Sequence, residues 1–296
     1  MNIPTVGDLK EKNIIINDLF CSVYDISNEN TLIIAGIVKK YSGLNIDLTK
    51  KPLIISRLSR RLRLLKCNNF DDYIKYISMV DNTHEKEQMA IALTTNTTAF
   101  FREAHHFDAL RSLCKRRVSH DVATDGAFRI WCAAASSGEE AYSAVFSVVD
   151  LFKNKHQKNL RVLATDINPY VLEKARNGTY LSEYKYNIPK NLFNEFCVEN
   201  KYINQFSIDE KIRSKIFFEK MNLIQKWPIE KKMDAIFCRN IFIYFDKETK
   251  ENVLRRMLSH LHIGGEIYFG HSEHIRSPER YGLEACGVTA YRKVAN

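Results

Sequence analysis

Cysteine pairs at metal-binding spacing are missing from this 296-residue chain, whose seven cysteines are scattered with no C-x-x-C. An odd, dispersed set argues against a disulfide framework and against a cysteine zinc site; it fits reduced thiols in a cytoplasm, and no metal is expected. No apolar run approaches the roughly 18 residues that a bilayer requires, and stretches such as "LIIAGIV" are core-sized. The opening "MNIPTVGDLKEKN" contains acids and no apolar h-region, so it does not read as a secretory signal. Internal repeats and low-complexity segments are absent as well. With 45% hydrophobic residues, the composition is that of an ordinary globular protein of one large or two smaller domains.

Acids are missing from one stretch in particular. Between Lys50 and Lys66, "KKPLIISRLSRRLRLLK" holds seven basic residues and no acid to pair with them, in a chain of net charge +9. At helical spacing Ile54, Ile55, Leu58, Leu62 and Leu65 form an apolar stripe, and Arg57, Arg60 and Arg61 share another face. Such a face is either merely solvated or a docking surface for an anionic partner. With no nucleic-acid signature interleaved, an acidic protein is the expected partner, and nucleic acid is not.

The chain has two textures. Residues 1 to 92 are helical in pattern. Beyond about residue 125, strands alternate with helices: "FRIWCAAA", "LRVLATDI", "MDAIFCRN" and "GGEIYFG" are separated by amphipathic segments, and Pro169 and Gly178 bracket one of these. This alternation predicts an α/β fold with a mostly parallel sheet and helices on both faces.

In such a sheet ligands bind beyond the carboxyl ends of the strands. The first strand runs into "AAASSGEEAYS", which has a single glycine in place of the dinucleotide fingerprint G-x-G-x-x-G. Glu139 and Glu140 would repel a pyrophosphate there and attract a cation, although acids at a helix start also complement its dipole. Asp166 ends the second strand, where a carboxylate either holds a ribose diol or caps the next helix. "CRNIFIYF" brings a guanidinium, an amide and a phenol to the same edge. A ribose-binding acid beside an acidic patch, with no phosphate loop, fits S-adenosylmethionine.

Between the two textures lies "LTTNTTAFFRE", Leu93 to Glu103, where four threonines and an asparagine suit neither core nor helix interior. Together with "AAASSGEEAYS", "ATDINPYVLEKARNGTY", "DAIFCRNIFIYFD" and "GHSE", this stretch resembles the CheR family of chemotaxis receptor methyltransferases, in order from about residue 90 to 275. The resemblance implies a Rossmann-like S-adenosylmethionine methyltransferase domain over 93–296, with a small antiparallel β insertion over 181–220. An all-α receptor-docking domain over 1–92 would precede it. It implies methylation of glutamate side chains on the cytoplasmic helical region of chemoreceptors by a monomeric, cytoplasmic enzyme that does not insert into the membrane, with S-adenosylhomocysteine as product. Carried over by motif, Asn96, Thr98, Arg102, Glu140, Asp166, Asn222, Leu223, Arg239 and Asn240 match cofactor-contacting positions, and Arg102 and Tyr244 face the reacting methyl.

A carboxylate nucleophile needs no general base, so His105, His106 and His271 receive no catalytic role. Two other readings use the same residues: a methyltransferase acting on another acidic protein, or a non-catalytic receptor-docking protein that keeps the cofactor fold. In the insertion, the tip "VENKYINQ" lacks the glycines of peptide-tethering relatives and leaves Asn200 and Asn204 to supply a left-handed residue. Methylation without strong peptide tethering is therefore expected.

Overall fold

The structure is a computed structural model that describes residues 24–79, 82–119, 126–152 and 159–296. The chain divides into two compact units, with the break between Thr95 and Asn96, three residues beyond the expected boundary and inside the threonine-rich stretch.

The first unit is helical, with helices Asn28–Ser42, Lys51–Leu64, Phe70–Met79 and Thr83–Leu93. The Ser27 hydroxyl caps the first by accepting the Asn30 N–H at 3.0 Å, and Gly43 ends it at φ 78°. In the second, Ile54, Leu58 and Leu62 are buried, as the stripe predicts, and Ile55 and Leu65 are only partly covered.

The arginine face departs from expectation. Arg60 is exposed, but Arg61 forms a two-pronged ion pair with buried Glu85, which also accepts the Tyr73 hydroxyl at 2.8 Å. Arg57 is exposed yet donates to the Thr94 carbonyl at 2.9 Å. Glu85 lies 24 residues away from Arg61, so the acid-free run concealed a partner that only folding brings in. Arg61 is structural rather than part of a projecting trio.

The second unit is built on a seven-stranded sheet in the order β6-β2-β1-β7-β8-β10-β9. Its strands are β1 (Ala127–Ala133), β2 (Asn159–Asp166), β6 (Ile216–Lys220), β7 (Met233–Cys238), β8 (Leu261–Tyr268), β9 (Leu283–Gly287) and β10 (Ala290–Lys293). The first five are mutually parallel, and β10 runs antiparallel between β8 and β9. β1 and β7 are almost wholly buried, which is why they read as continuous apolar runs. The chain steps outward from β1 through β2 to β6 and then returns to the other side of β1 as β7. The strand order therefore reverses between β1 and β7, and this switch point opens a crevice at their carboxyl ends.

A separate antiparallel sheet, β3-β5-β4, comprises β3 (Thr179–Leu181), β4 (Cys197–Asn200) and β5 (Gln205–Ile208). The insertion is thus shorter than the expected 181–220, because Ile216–Lys220 pairs in parallel with β2 and forms an edge of the main sheet. The short apolar run in "KIFFE" suits a strand of either sheet, so sequence could not choose between them. At the β4–β5 tip, Asn204 takes φ 51°. Among the described residues, no helix is long and apolar enough to cross a membrane.

Candidate active site

Four segments meet the crevice from the ends of β1, β2, β6 and β7, and a fifth is the stretch leading to Arg102. After β1, Ala134 (φ 63°), Ser136 (φ 50°) and Gly138 (φ 95°) make a tight, left-handed path into the helix Glu139–Val148. Non-glycine residues in this region are strained and persist only where their surroundings hold them. Gly138 is further restricted because a Cβ there would lie 2.8 Å from the Ala175 Cβ.

Asp166 supplies part of the restraint. One carboxylate oxygen accepts the Ser136 N–H and the other the Asn168 N–H, each at 2.9 Å. The cap of the helix Pro169–Asn177 is Asn168, which accepts the Tyr170 N–H at 3.0 Å. Asp166 is therefore not the cap, and it ties two loops together across the strand ends. Burial pushes its carboxyl above the usual carboxylate range, against the backbone N–H groups that it accepts. The Ser136 hydroxyl donates to the Asn96 carbonyl at 2.8 Å, joining the β1 loop to the threonine-rich stretch.

That stretch is anchored by aromatic rings. Phe100 packs edge-on against Tyr180 at 4.9 Å, and Phe101 against Phe107 at 5.3 Å. Phe101 (φ 51°) and Glu103 (φ 56°) both take left-handed backbone conformations, so Arg102 sits between two strained residues. The half-buried Arg102 side chain donates to the Thr97 carbonyl at 3.3 Å. Thr98 is half-buried and Thr97 exposed, whereas Leu93 and Thr94 are buried; the stretch is polar core at its start and surface only later.

Arg239, at the end of β7, holds this loop from below. Its guanidinium is 2% exposed and donates to Glu140 at 3.0 Å and to the Arg102 backbone carbonyl, with Glu103 at 3.4 Å. Burial raises the Glu140 carboxyl to about 6 despite Arg239. Glu139 points elsewhere, to the Ser137 hydroxyl at 2.7 Å. Asn240 (φ 58°) follows, and Tyr244 closes the short turn Phe242–Tyr244. Arg102 and Tyr244 stand on separate loops with no hydrogen bond between them among the described residues. Beyond β6, the Met221 N–H bonds the Asp166 carbonyl at 2.9 Å, which brings Asn222 and Leu223 beside β2.

The family model described as "CheR methyltransferase, SAM binding domain" matches residues 96–291, and "CheR methyltransferase, all-alpha domain" matches 33–94. The chain belongs to the CheR methyltransferase family. It is 38% identical to chemotaxis protein methyltransferase 2 of Pseudomonas aeruginosa over 85% of this chain and 88% of that one. The chemotaxis protein methyltransferase of Salmonella typhimurium is 37% identical, over 88% and 89%. A probable chemotaxis protein methyltransferase of Rhizobium etli is 35% identical, over 85% and 94%. The expected methyltransferase with an all-α region ahead of a Rossmann-like domain is thereby established, and its cofactor is S-adenosylmethionine.

The crevice suits that cofactor. Small residues after β1 admit close approach, and the Asp166 carboxylate stands at the end of β2, held by backbone N–H groups from the loops on either side. Glu140 brings a carboxyl to the start of the helix after β1, shared with the Arg239 guanidinium.

Three residues of this CheR site had no assigned role in the sequence. Ser136 links Asp166 to the Asn96 carbonyl. Glu273, in "GHSE", accepts the N–H groups of Asn240 (2.7 Å), Gly270 (2.7 Å) and Ile243 (3.1 Å), and so shapes the turn that ends in Tyr244. Glu103 receives Arg239 and the His271 N–H; burial raises its carboxyl, but these partners outweigh burial and hold it low. The signal for Glu273 in the sequence is its place at the end of "GHSE".

Proposed function

We propose that this methyltransferase transfers a methyl group to glutamate side chains on the cytoplasmic helices of chemoreceptors, acting as a cytoplasmic monomer. The observation that best supports the site assignment is Asp166. It is a buried carboxylate at the carboxyl end of β2, next to the switch point, and it is fixed there by backbone N–H groups of the β1 and β2 loops. When bound, S-adenosylmethionine supplies an electrophilic methyl on a sulfonium, leaving S-adenosylhomocysteine and a glutamyl methyl ester.

The residues of this chain then align and shield. Asp166 holds the ribose, and Glu140 with Asn96, Thr98, Asn222 and Leu223 surrounds the remainder. Asn240 joins them, and Arg239 contributes mainly by fixing the Arg102 loop from beneath. Arg102 orients a carboxylate, and Tyr244 positions the reacting groups. No residue needs to remove a proton, because a receptor glutamate is already ionised at neutral pH. The test is incubation with methyl-labelled cofactor and receptor-containing membranes, then mild base. Label released as methanol supports the proposal, and base-stable label on another group overturns it.

Glu140 makes cofactor binding pH-dependent. Its carboxyl titrates at about 6 in the free protein, so below that pH a cationic ligand must displace a proton. Affinity is expected to rise with pH up to about 6 and then level off, by at most tenfold per unit. Glu140→Gln should flatten the profile; calorimetry that finds the same slope in this variant would assign it to another group.

On the helical unit, receptor docking falls to Arg60 and Arg57. Arg60→Glu should lower receptor methylation on the order of 10-fold at low salt, leave cofactor affinity unchanged, and lose its effect as salt rises. Arg61→Ala should instead destabilise the unit by about 3 kcal/mol, because it strands buried Glu85. Salt-insensitive wild-type methylation would return the face to a solvated surface.

A further inference from the structure

At the start of the helix His105–Ser119, beneath the Arg102 loop, a group of side chains remains that methyl transfer does not use. His106 is fully buried. Its Nε2 lies 3.0 Å from the Val288 carbonyl oxygen and 3.1 Å from Thr289 Oγ1, whose own hydrogen goes to the Phe269 carbonyl. Both neighbours accept, so the ring proton sits on Nε2 and Nδ1 presents a lone pair. That lone pair faces Glu103 Oε2 at 3.5 Å, and neither atom has a hydrogen-bond partner. Two buried acceptors facing each other repel unless a proton or a cation lies between them.

A second imidazole completes the group, and a third lies beside it. His105 is exposed, and its ring nitrogen, His106 and a Glu103 oxygen offer ligand atoms within 4.8 Å of one another. His271 Nδ1 lies 3.3 Å from Glu103 Oε1 and is open to solvent. We propose that Glu103, His105 and His106 form a binding site for a borderline divalent cation, Zn²⁺ by preference. Two imidazoles and a carboxylate select such an ion over Mg²⁺ or Ca²⁺. With bonds of about 2.1 Å, tetrahedral ligands stand about 3.4 Å apart, close to the separation of His106 Nδ1 and Glu103 Oε2. The Nε2–H bond to the Val288 carbonyl is the outer contact that usually orients a metal-bound histidine. The exposed His105 and His271 provide an entry path.

The competing charge is Arg239, 3.4 Å from Glu103 Oε2. A bound ion would take that oxygen and leave Arg239 its bonds to Glu140 and to the Arg102 carbonyl. Glu103 directly follows Arg102, so occupancy would shift the loop and inhibit methyl transfer. This consequence rests on the methyl-transfer assignment; the binding does not.

The full chain, stripped with a chelator, is titrated calorimetrically with Zn²⁺ in the absence of cofactor and receptor. Cobalt(II) absorption reports the ligand set. Binding at about 10 μM or tighter is expected, weakened at least 10-fold by His105→Ala and unaffected by His84→Ala. The His105 side chain is exposed, so folding is not at issue. Wild-type binding no tighter than millimolar, or binding indifferent to His105→Ala, overturns the site. In the methyl-transfer assay, Zn²⁺ inhibits the wild type reversibly; equal inhibition of His105→Ala overturns the coupling alone.

Discussion

Replacing Arg102 with alanine is expected to lower receptor methylation about 100-fold, the scale on which misplacing reacting groups is costly. Stability should change by no more than about 1 kcal/mol, because the side chain makes one hydrogen bond, to the Thr97 carbonyl, and supports no core. The loop is held by its backbone, through the Arg102 carbonyl on Arg239 and the Phe101 N–H on the Ser143 hydroxyl at 2.9 Å. Alanine retains both. Arg102→Lys is a sharper probe. It keeps the charge and loses the planar fork, so activity that stays low in this variant indicates two-pronged recognition of a carboxylate. Wild-type turnover in the alanine variant would remove Arg102 from the reaction.

Where chemistry depends on strand ends, the sequence was informative. β1, β2 and β7 are short, apolar and followed by helix signals, and "GGEIYFG" reads as a further strand, so their order along the chain and their carboxyl-terminal residues were legible. Asp166 and Arg239 stand at the edge where the pattern put them. What remained hidden was pairing between distant residues. Arg61 lies in an acid-free run, and nothing local reveals that Glu85 folds against it. Ile216–Lys220 suits a strand of either sheet equally well, and only pairing with β2 decides. Arg239 reads as a ligand-facing cation, yet its guanidinium is enclosed by Glu140, Glu103 and a carbonyl. Glu103 lies in the turn just before the helix that begins at His105, three residues ahead of His106, and nothing in that short spacing shows that the two side chains face each other. Their mutual orientation depends on Val288, which is 182 residues from His106.

Substituting Asp166 with alanine should weaken cofactor binding by about 1.5–3 kcal/mol, the loss of one or two charge-assisted hydrogen bonds, which is about 10- to 150-fold in affinity. The structure adds a cost that the sequence did not suggest. Asp166 also accepts the Ser136 and Asn168 N–H groups, so the alanine variant should lose about 1–3 kcal/mol of stability as well. Asp166→Asn separates these effects, since the amide oxygen still accepts one N–H while the charge is gone. Ribose is common to S-adenosylmethionine and S-adenosylhomocysteine, so calorimetry should give the same penalty for both. A penalty confined to S-adenosylmethionine would mean that Asp166 acts on the sulfonium charge. Unchanged affinity for both would refute the ribose contact and leave Asp166 as the tie that holds strained Ser136 in place.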